Sequence, residues 1–182
     1  TQTELSLPDQ KGRYGVSGFS KDNKYVFYLT DGGKEFTYLV QYDMNSGERK
    51  VLYETNWDVM YTFLSEKETY RVIAINEDGK NTIIMQDAAS GKTIDFPAIP
   101  DGDILGVEIS DSEKLMRLSV GTSKAPNNIY LYNLETKELK KLTESLNKEI
   151  NADDLVSAEV VRYKSFDGLD IPAIYYKPHQ AT

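Results

Sequence analysis

Three serines, Ser20, Ser65 and Ser110, recur at a spacing of 45 residues, and each stands in the same context. A short apolar piece precedes each one, ending in Phe19, Leu64 or Ile109. A polar turn follows: Ser20-Lys21-Asp22-Asn23-Lys24, Ser65-Glu66-Lys67-Glu68, Ser110-Asp111-Ser112-Glu113-Lys114. Then comes a strand-like run, Lys24–Thr30, Tyr70–Asn76 or Leu115–Val120. A fixed period of this length restricts the chain to a repeat architecture, in which one unit buries its apolar face only against the next.

Each unit continues in parallel. A second polar turn lies at Asp31-Gly32-Gly33-Lys34 and at Glu77-Asp78-Gly79-Lys80; in the third unit it is read as a longer loop, Gly121 to Asn127. Third strands are expected over Thr37–Asp43, Thr82–Asp87 and Asn128–Asn133. Each ends in Asp or Asn and a tight turn: Asn45-Ser46-Gly47-Glu48, Ala89-Ser90-Gly91-Lys92, Glu135-Thr136-Lys137-Glu138. Gly47 and Gly91 suit the positive φ of such turns, whereas Lys137 does not. Short outer strands are expected near Arg49–Tyr53, Lys92–Phe96 and Leu139–Leu142.

Four short antiparallel strands per repeat are the pattern of β-propeller blades. The second strands are apolar on both faces, as for strands sandwiched between blades, and the fourth carry charges such as Lys137, Glu138, Lys140 and Lys141, as for an edge facing water. The 13 tyrosines, with Val, Ile and Thr, suit half-buried strands. A sandwich would use the same hairpins but not the fixed period. The expected fold is therefore all-β: an incomplete β-propeller of about three four-stranded antiparallel blades plus a C-terminal β-hairpin. The blades span residues 14–56, 57–100 and 101–143. Residues 1–13 read as a linker or the remnant of a preceding blade. Closure takes about four to eight blades, so others are expected outside this chain. Residues 144–158 are polar and read as an interdomain connection, with Asn151 placed to cap a short turn rich in acidic residues.

Composition narrows the function. Lys and Arg total 21 against 29 Asp and Glu, a net charge of -8, which repels phosphate backbones and anionic lipid. Neither a nucleic-acid nor a membrane partner is expected, and no apolar run approaches the ~20 residues of a membrane span. There is no Cys, so thiol nucleophiles, disulfides and Cys-based metal sites are excluded. No signal peptide is visible at Thr1-Gln2-Thr3, and both a cytoplasmic and an exported, periplasmic location stay open.

No catalytic constellation can be assembled. A serine hydrolase needs Gly-x-Ser-x-Gly and a histidine. The nearest match, Gly15-Val16-Ser17-Gly18-Phe19, fails at its last position and reads as a turn or innermost strand. The single histidine, His179, lies in the polar tail after Pro178 and reads as solvated. The carboxylate pairs Asp101-Gly102-Asp103 and Asp153-Asp154 lack calcium-loop spacing and read as turns. Trp57, the sole tryptophan, reads as a packing residue between blades. Tyr14, Tyr61 and Arg162 fit either a binding or a packing role. No catalytic, cofactor-binding or metal-binding residue is assigned, and no cofactor is expected.

The C-terminal stretch breaks the repeat. Val160-Val161-Arg162-Tyr163-Lys164-Ser165-Phe166-Asp167-Gly168-Leu169-Asp170-Ile171-Pro172-Ala173, followed by Tyr176-Lys177-Pro178, reads as two strands around an Asp-Gly turn. Coming after blades and a polar connection, this pattern resembles the junction in the prolyl oligopeptidase family of serine peptidases, in its acylaminoacyl-peptidase and dipeptidyl-peptidase branch. The segments Thr30-Asp31 through Leu39 and Trp57-Asp58 through Tyr61 also resemble bacterial members. The resemblance implies that residues 159–182 are the first hairpin of a truncated α/β-hydrolase domain. It implies that the catalytic Ser, Asp and His lie in that domain, and that the propeller gates access so that short peptides enter. The chain is then a non-catalytic portion of a peptidase, and its partners are the missing hydrolase domain, the missing blades and, for the parent protein, short peptide substrates. The glutamate pair by which dipeptidyl peptidases hold an amino terminus has no match here. The alternative is a propeller scaffold for protein–protein binding with no enzyme attached. Self-association through uncovered blade faces is a further expectation.

Overall fold

Each repeat folds as a four-stranded antiparallel meander, and the turns between strands explain why the repeat keeps its residues. The computed structural model describes residues 4–6, 9–99 and 102–181. The first sheet contains β1 (Tyr14–Phe19), β2 (Tyr25–Thr30), β3 (Tyr38–Asp43) and β4 (Arg49–Tyr53). The second contains β5 (Asp58–Leu64), β6 (Tyr70–Glu77), β7 (Lys80–Asp87) and β8 (Thr93–Ile94). The third contains β9 (Asp103–Ile109), β10 (Leu115–Thr122), β11 (Ala125–Asn133) and β12 (Leu139–Lys141). In each, the strands pair in chain order. The only helix among the described residues is one 3-10 turn, Ala152–Asp154, and β13 (Ala158–Lys164) and β14 (Asp170–Tyr176) form a separate hairpin.

The recurring serines are turn caps. Ser20 Oγ accepts from Tyr25 N at 2.8 Å, Ser65 Oγ from Tyr70 N at 2.9 Å, and Ser110 Oγ from Leu115 N at 3.2 Å. In each turn the fourth residue is left-handed: Asn23, Glu68 and Glu113 have φ of 57°, 59° and 61°. The turn between third and fourth strands is also shared. Asp43, Asp87 and Asn133 each accept, through a side-chain oxygen, a backbone N–H two or three residues ahead at 2.8–2.9 Å. A left-handed residue closes it: Gly47 (φ 75°), Gly91 (72°) and Lys137 (64°). Lys137 thus adopts the conformation that its side chain disfavours, because the surrounding hydrogen bonds are the same as in the glycine turns.

Three expectations change. Gly121 to Asn127 is not a longer loop: β10 and β11 pair up to Thr122 and Ala125, leaving a tight turn at Ser123-Lys124. The ladder is carried past Gly121 by a bulge, where an added Cβ would come within 2.6 Å of Asn127 Oδ1. The second outer strand is shorter than Lys92–Phe96: only Thr93 and Ile94 pair with β7. Finally, β10 is not buried on both faces. Met116, Leu118 and Val120 are buried, but Arg117 and Ser119 alternate with them, and Arg117 Nε donates to Glu108 Oε2 at 3.0 Å.

By contacts the chain divides into two units, Thr1–Glu77 with Thr82–Phe96, and Asp78–Asn81 with Pro97–Thr182. In the first, Phe27 and Leu39 of one sheet pack with Val59, Ile73 and Ile75 of the next, and Leu39 and Ile73 are fully buried. Asp58 Oδ1 accepts from Thr37 N at 2.9 Å and Val59 N donates back to Thr37 O at 3.0 Å, stapling β5 beside the start of β3. In the second unit, 45 residues later, Asp103 Oδ1 accepts from Asn81 N at 2.7 Å.

Candidate functional site

Two places in the chain depart from ordinary blade packing: a cleft in the first unit and the end hairpin in the second. The cleft, about 190 Å³, is lined from β1 by Ser17, Gly18 and Phe19, from β2 by Phe27, from β5 by Thr62, Phe63 and Leu64, and from β6 by Arg71. A bulge shapes its β1 wall. Val16 pairs with Tyr28 and Gly18 with Phe27, so Ser17 is the extra residue. Arg71 is 5% exposed, its guanidinium 5.0 Å from the Phe27 ring centre, and burial holds its pKa below the ordinary arginine value. Thr62 Oγ1 is used internally, donating to Val72 O at 2.8 Å.

The hairpin is built as its motif implies. Gly168 N donates to Ser165 O at 3.0 Å, Ser165 N to Leu169 O at 2.8 Å, and Gly168 takes φ 88°. This is a turn closed by a left-handed glycine. Pro172 stands opposite Arg162 in the register. Arg162 forms an ion pair with Asp78, so its part here is structural. Val160 and Ile171 of the hairpin are half-buried, but several apolar side chains are exposed: Phe166 entirely, Leu169 at 62%, Tyr163 at 56% and Ile174 at 55%. Two-stranded hairpins are marginal in water unless their apolar face is covered, which makes this exposed apolar surface a candidate docking face.

The other candidates resolve into structure. Ser17 is a bulge residue in β1 with no helix behind it, not a nucleophile elbow. His179 is exposed in the tail. Asp103 belongs to the Asn81 staple, and Asp101 lies outside the described residues. Asp153 and Asp154 are exposed on the 3-10 turn, where Asn151 Oδ1 accepts from Asp153 N at 3.1 Å. Trp57, half-buried just before β5, lies with its ring centre 6.5 Å from that of Phe36 in the loop between β2 and β3. Tyr14 donates to Gln10 O at 2.9 Å and lies 6.0 Å from Tyr28. The Tyr61 hydroxyl is buried without a hydrogen-bond partner, and burial raises its pKa. Among the described residues no group of three or more His, Cys, Asp or Glu is placed to hold a metal ion.

Arg71 and the inter-sheet carboxylate Asp58 escape a motif search. Arg71 stands in the strand run Tyr70–Asn76, where every neighbour from Val72 to Ile75 is apolar. A lone cation inside a strand buried on both faces is the signal that marks it, since a buried charge requires a reason.

No family model and no curated protein matches the sequence. Solved structures do. Over 93% of its length the chain matches 25% of a chain from a structural and mechanistic study of two prolyl endopeptidases, at a TM-score of 0.75 and 15% identity. Prolyl oligopeptidase B from Galerina marginata, bound to a 35mer hydrolysis and macrocyclization substrate, matches over 89% of this chain and 23% of its own, at a TM-score of 0.72 and 18% identity. Its apo form matches over 94% and 25%, at a TM-score of 0.68 and 16% identity. The chain spans about a quarter of the length of these enzymes. The likeness is one of fold: three antiparallel sheets and a hairpin in this chain have the architecture of the propeller portion of prolyl oligopeptidases.

Proposed function

We propose that this chain is the propeller portion of a serine peptidase of the prolyl oligopeptidase type, inert by itself, that gates access of short peptides to a hydrolase domain. The observation that carries the reading is the end hairpin. Its Ser165-Phe166-Asp167-Gly168 turn matches the junction pattern, it lies outside the 45-residue repeat, and its exposed Phe166, Leu169 and Ile174 suit docking on another domain. The fold likeness to prolyl oligopeptidases supports the same assignment. The gating part of the proposal is supported by the propeller architecture, in which blades surround a central channel. A binding scaffold without an enzyme leaves this hairpin without a role.

The test is hydrolysis. The 182-residue chain is expected to leave chromogenic prolyl, N-acylated and dipeptidyl substrates intact, while the product of the full gene cleaves at least one of them and ignores folded proteins. A full-length product without hydrolytic activity toward peptides overturns the proposal.

A further inference from the structure

We propose that the cleft beside Arg71 is a subsite for the free carboxylate of a short peptide, with the Arg71 guanidinium as its anion-binding group. The anion follows from the cleft itself; the choice of a peptide rests on the function proposed above. The Arg71 guanidinium offers five N–H donors, and among the described residues it makes no side-chain hydrogen bond or close ion pair; it faces the Phe27 ring, with the charge of Glu68 acting on it from further away. A ring face satisfies part of the charge and none of the donor geometry. Glu68 favours the charged guanidinium without a hydrogen bond to it, and its Oε1 accepts from Lys21 N at 2.6 Å. Burial in the cleft disfavours the guanidinium charge, and a carboxylate entering the cleft would offset that cost by pairing with it bidentately.

The walls select among anions. Phe19, Phe27, Phe63 and Leu64 are apolar, and no second cation lines the cleft. A phosphate dianion would be left half-neutralised against aromatic walls, whereas a monocarboxylate beside an apolar side chain matches both features. β1 and β5 are the first strands of their sheets, the position that lines the central channel of a closed propeller, and the function proposed above makes a peptide the ligand offered there. Phe19, 58% exposed, is the side chain such a peptide would cover.

The experiment is an NMR titration of the whole chain with N-acetyl-L-phenylalanine, its C-terminal amide, and inorganic phosphate. The acid is expected to shift amide signals of residues 17–19 and 62–64, with the amide and phosphate each binding at least about tenfold more weakly. Arg71→Met keeps the packing on Phe27 and removes the charge, and is expected to fold and to bind acid and amide alike; Arg71→Lys is expected to retain part of the preference. If Arg71→Met does not fold, the acid–amide comparison in the native chain and in Arg71→Lys decides. Equal binding of acid and amide, undiminished acid binding by Arg71→Met, phosphate binding as tight as the acid, or no shift by the acid overturns the subsite. The readout needs no hydrolysis. An acid-selective cleft in a protein whose full-length form cleaves no peptide overturns the function proposed above and leaves the anion site standing. Loss of selectivity with hydrolysis intact overturns the subsite alone.

Discussion

Truncating the recurring serines tests whether the repeat is conserved along the chain for its turns. Ser65 is 4% exposed, and its Oγ accepts the Tyr70 N–H at 2.9 Å. Ser65→Ala leaves that donor with no side-chain acceptor in a buried turn, a cost of about 1.5 kcal/mol within the usual ~1–3 kcal/mol for an unsatisfied buried group. Ser110 is more exposed and its bond is longer, at 3.2 Å. Water replaces that hydroxyl, and Ser110→Ala is expected to cost about 0.5 kcal/mol. With a urea slope of about 2 kcal/mol per molar, the midpoints fall by about 0.7 M for Ser65→Ala and about 0.25 M for Ser110→Ala. Urea titrations followed by far-ultraviolet circular dichroism and by Trp57 fluorescence read both. If Ser110→Ala costs as much as Ser65→Ala, burial and bond length are not what sets the cost. The turn-cap reasoning then fails.

Two further outcomes follow from the same turns. Lys137 occupies at φ 64° the place that Gly47 and Gly91 hold in their turns. Lys137→Gly relieves left-handed strain but loosens the unfolded chain, a net gain of about 0.5 kcal/mol, and an unchanged or lowered melting temperature would refute it. The Asp43 and Asp87 carboxyls are held below the ordinary range, Asp43 first by the Ser46 and Asn45 backbone N–H groups and Asp87 first by the Ser90 hydroxyl. A depressed carboxyl contributes stability that is present above its unfolded value of ~3.9 and is lost as pH falls through the folded value. The double variant Asp43→Asn, Asp87→Asn copies Asn133 and is expected to lose less melting temperature than the native chain on acidification below about pH 4. Identical acid limbs would show that these carboxylates do not couple to folding.

The blades were readable because their signals are local. A serine 45 residues from the next serine, glycines in several of the hairpin turns and apolar runs between them are enough to place most strands to within a residue or two. What escaped depended on partners distant in sequence. Gly121 and Pro126 look like loop residues, yet Gly121 of β10 faces a bulge at Pro126-Asn127 of β11 and pairing runs on to Thr122. Arg117 and Ser119 interrupt β10 at every second position, a strand period that the expectation of two buried faces overlooked. Asp103 looked like half of a carboxylate pair because its partner, Asn81, is 22 residues away. The cleft was invisible for the same reason: Phe19, Phe63 and Arg71 come from three strands and meet only in the folded first unit. The hairpin motif, by contrast, is continuous in sequence and was read in full.

The proposed function is tested most directly by mapping the reactive serine of the full-length gene product with a fluorophosphonate and mass spectrometry. One labelled serine is predicted, C-terminal to Pro178 and within a Gly-x-Ser-x-Gly segment, with no label between residues 14 and 143. A label on Ser17 or another blade serine, or no labelled serine at all, would contradict it.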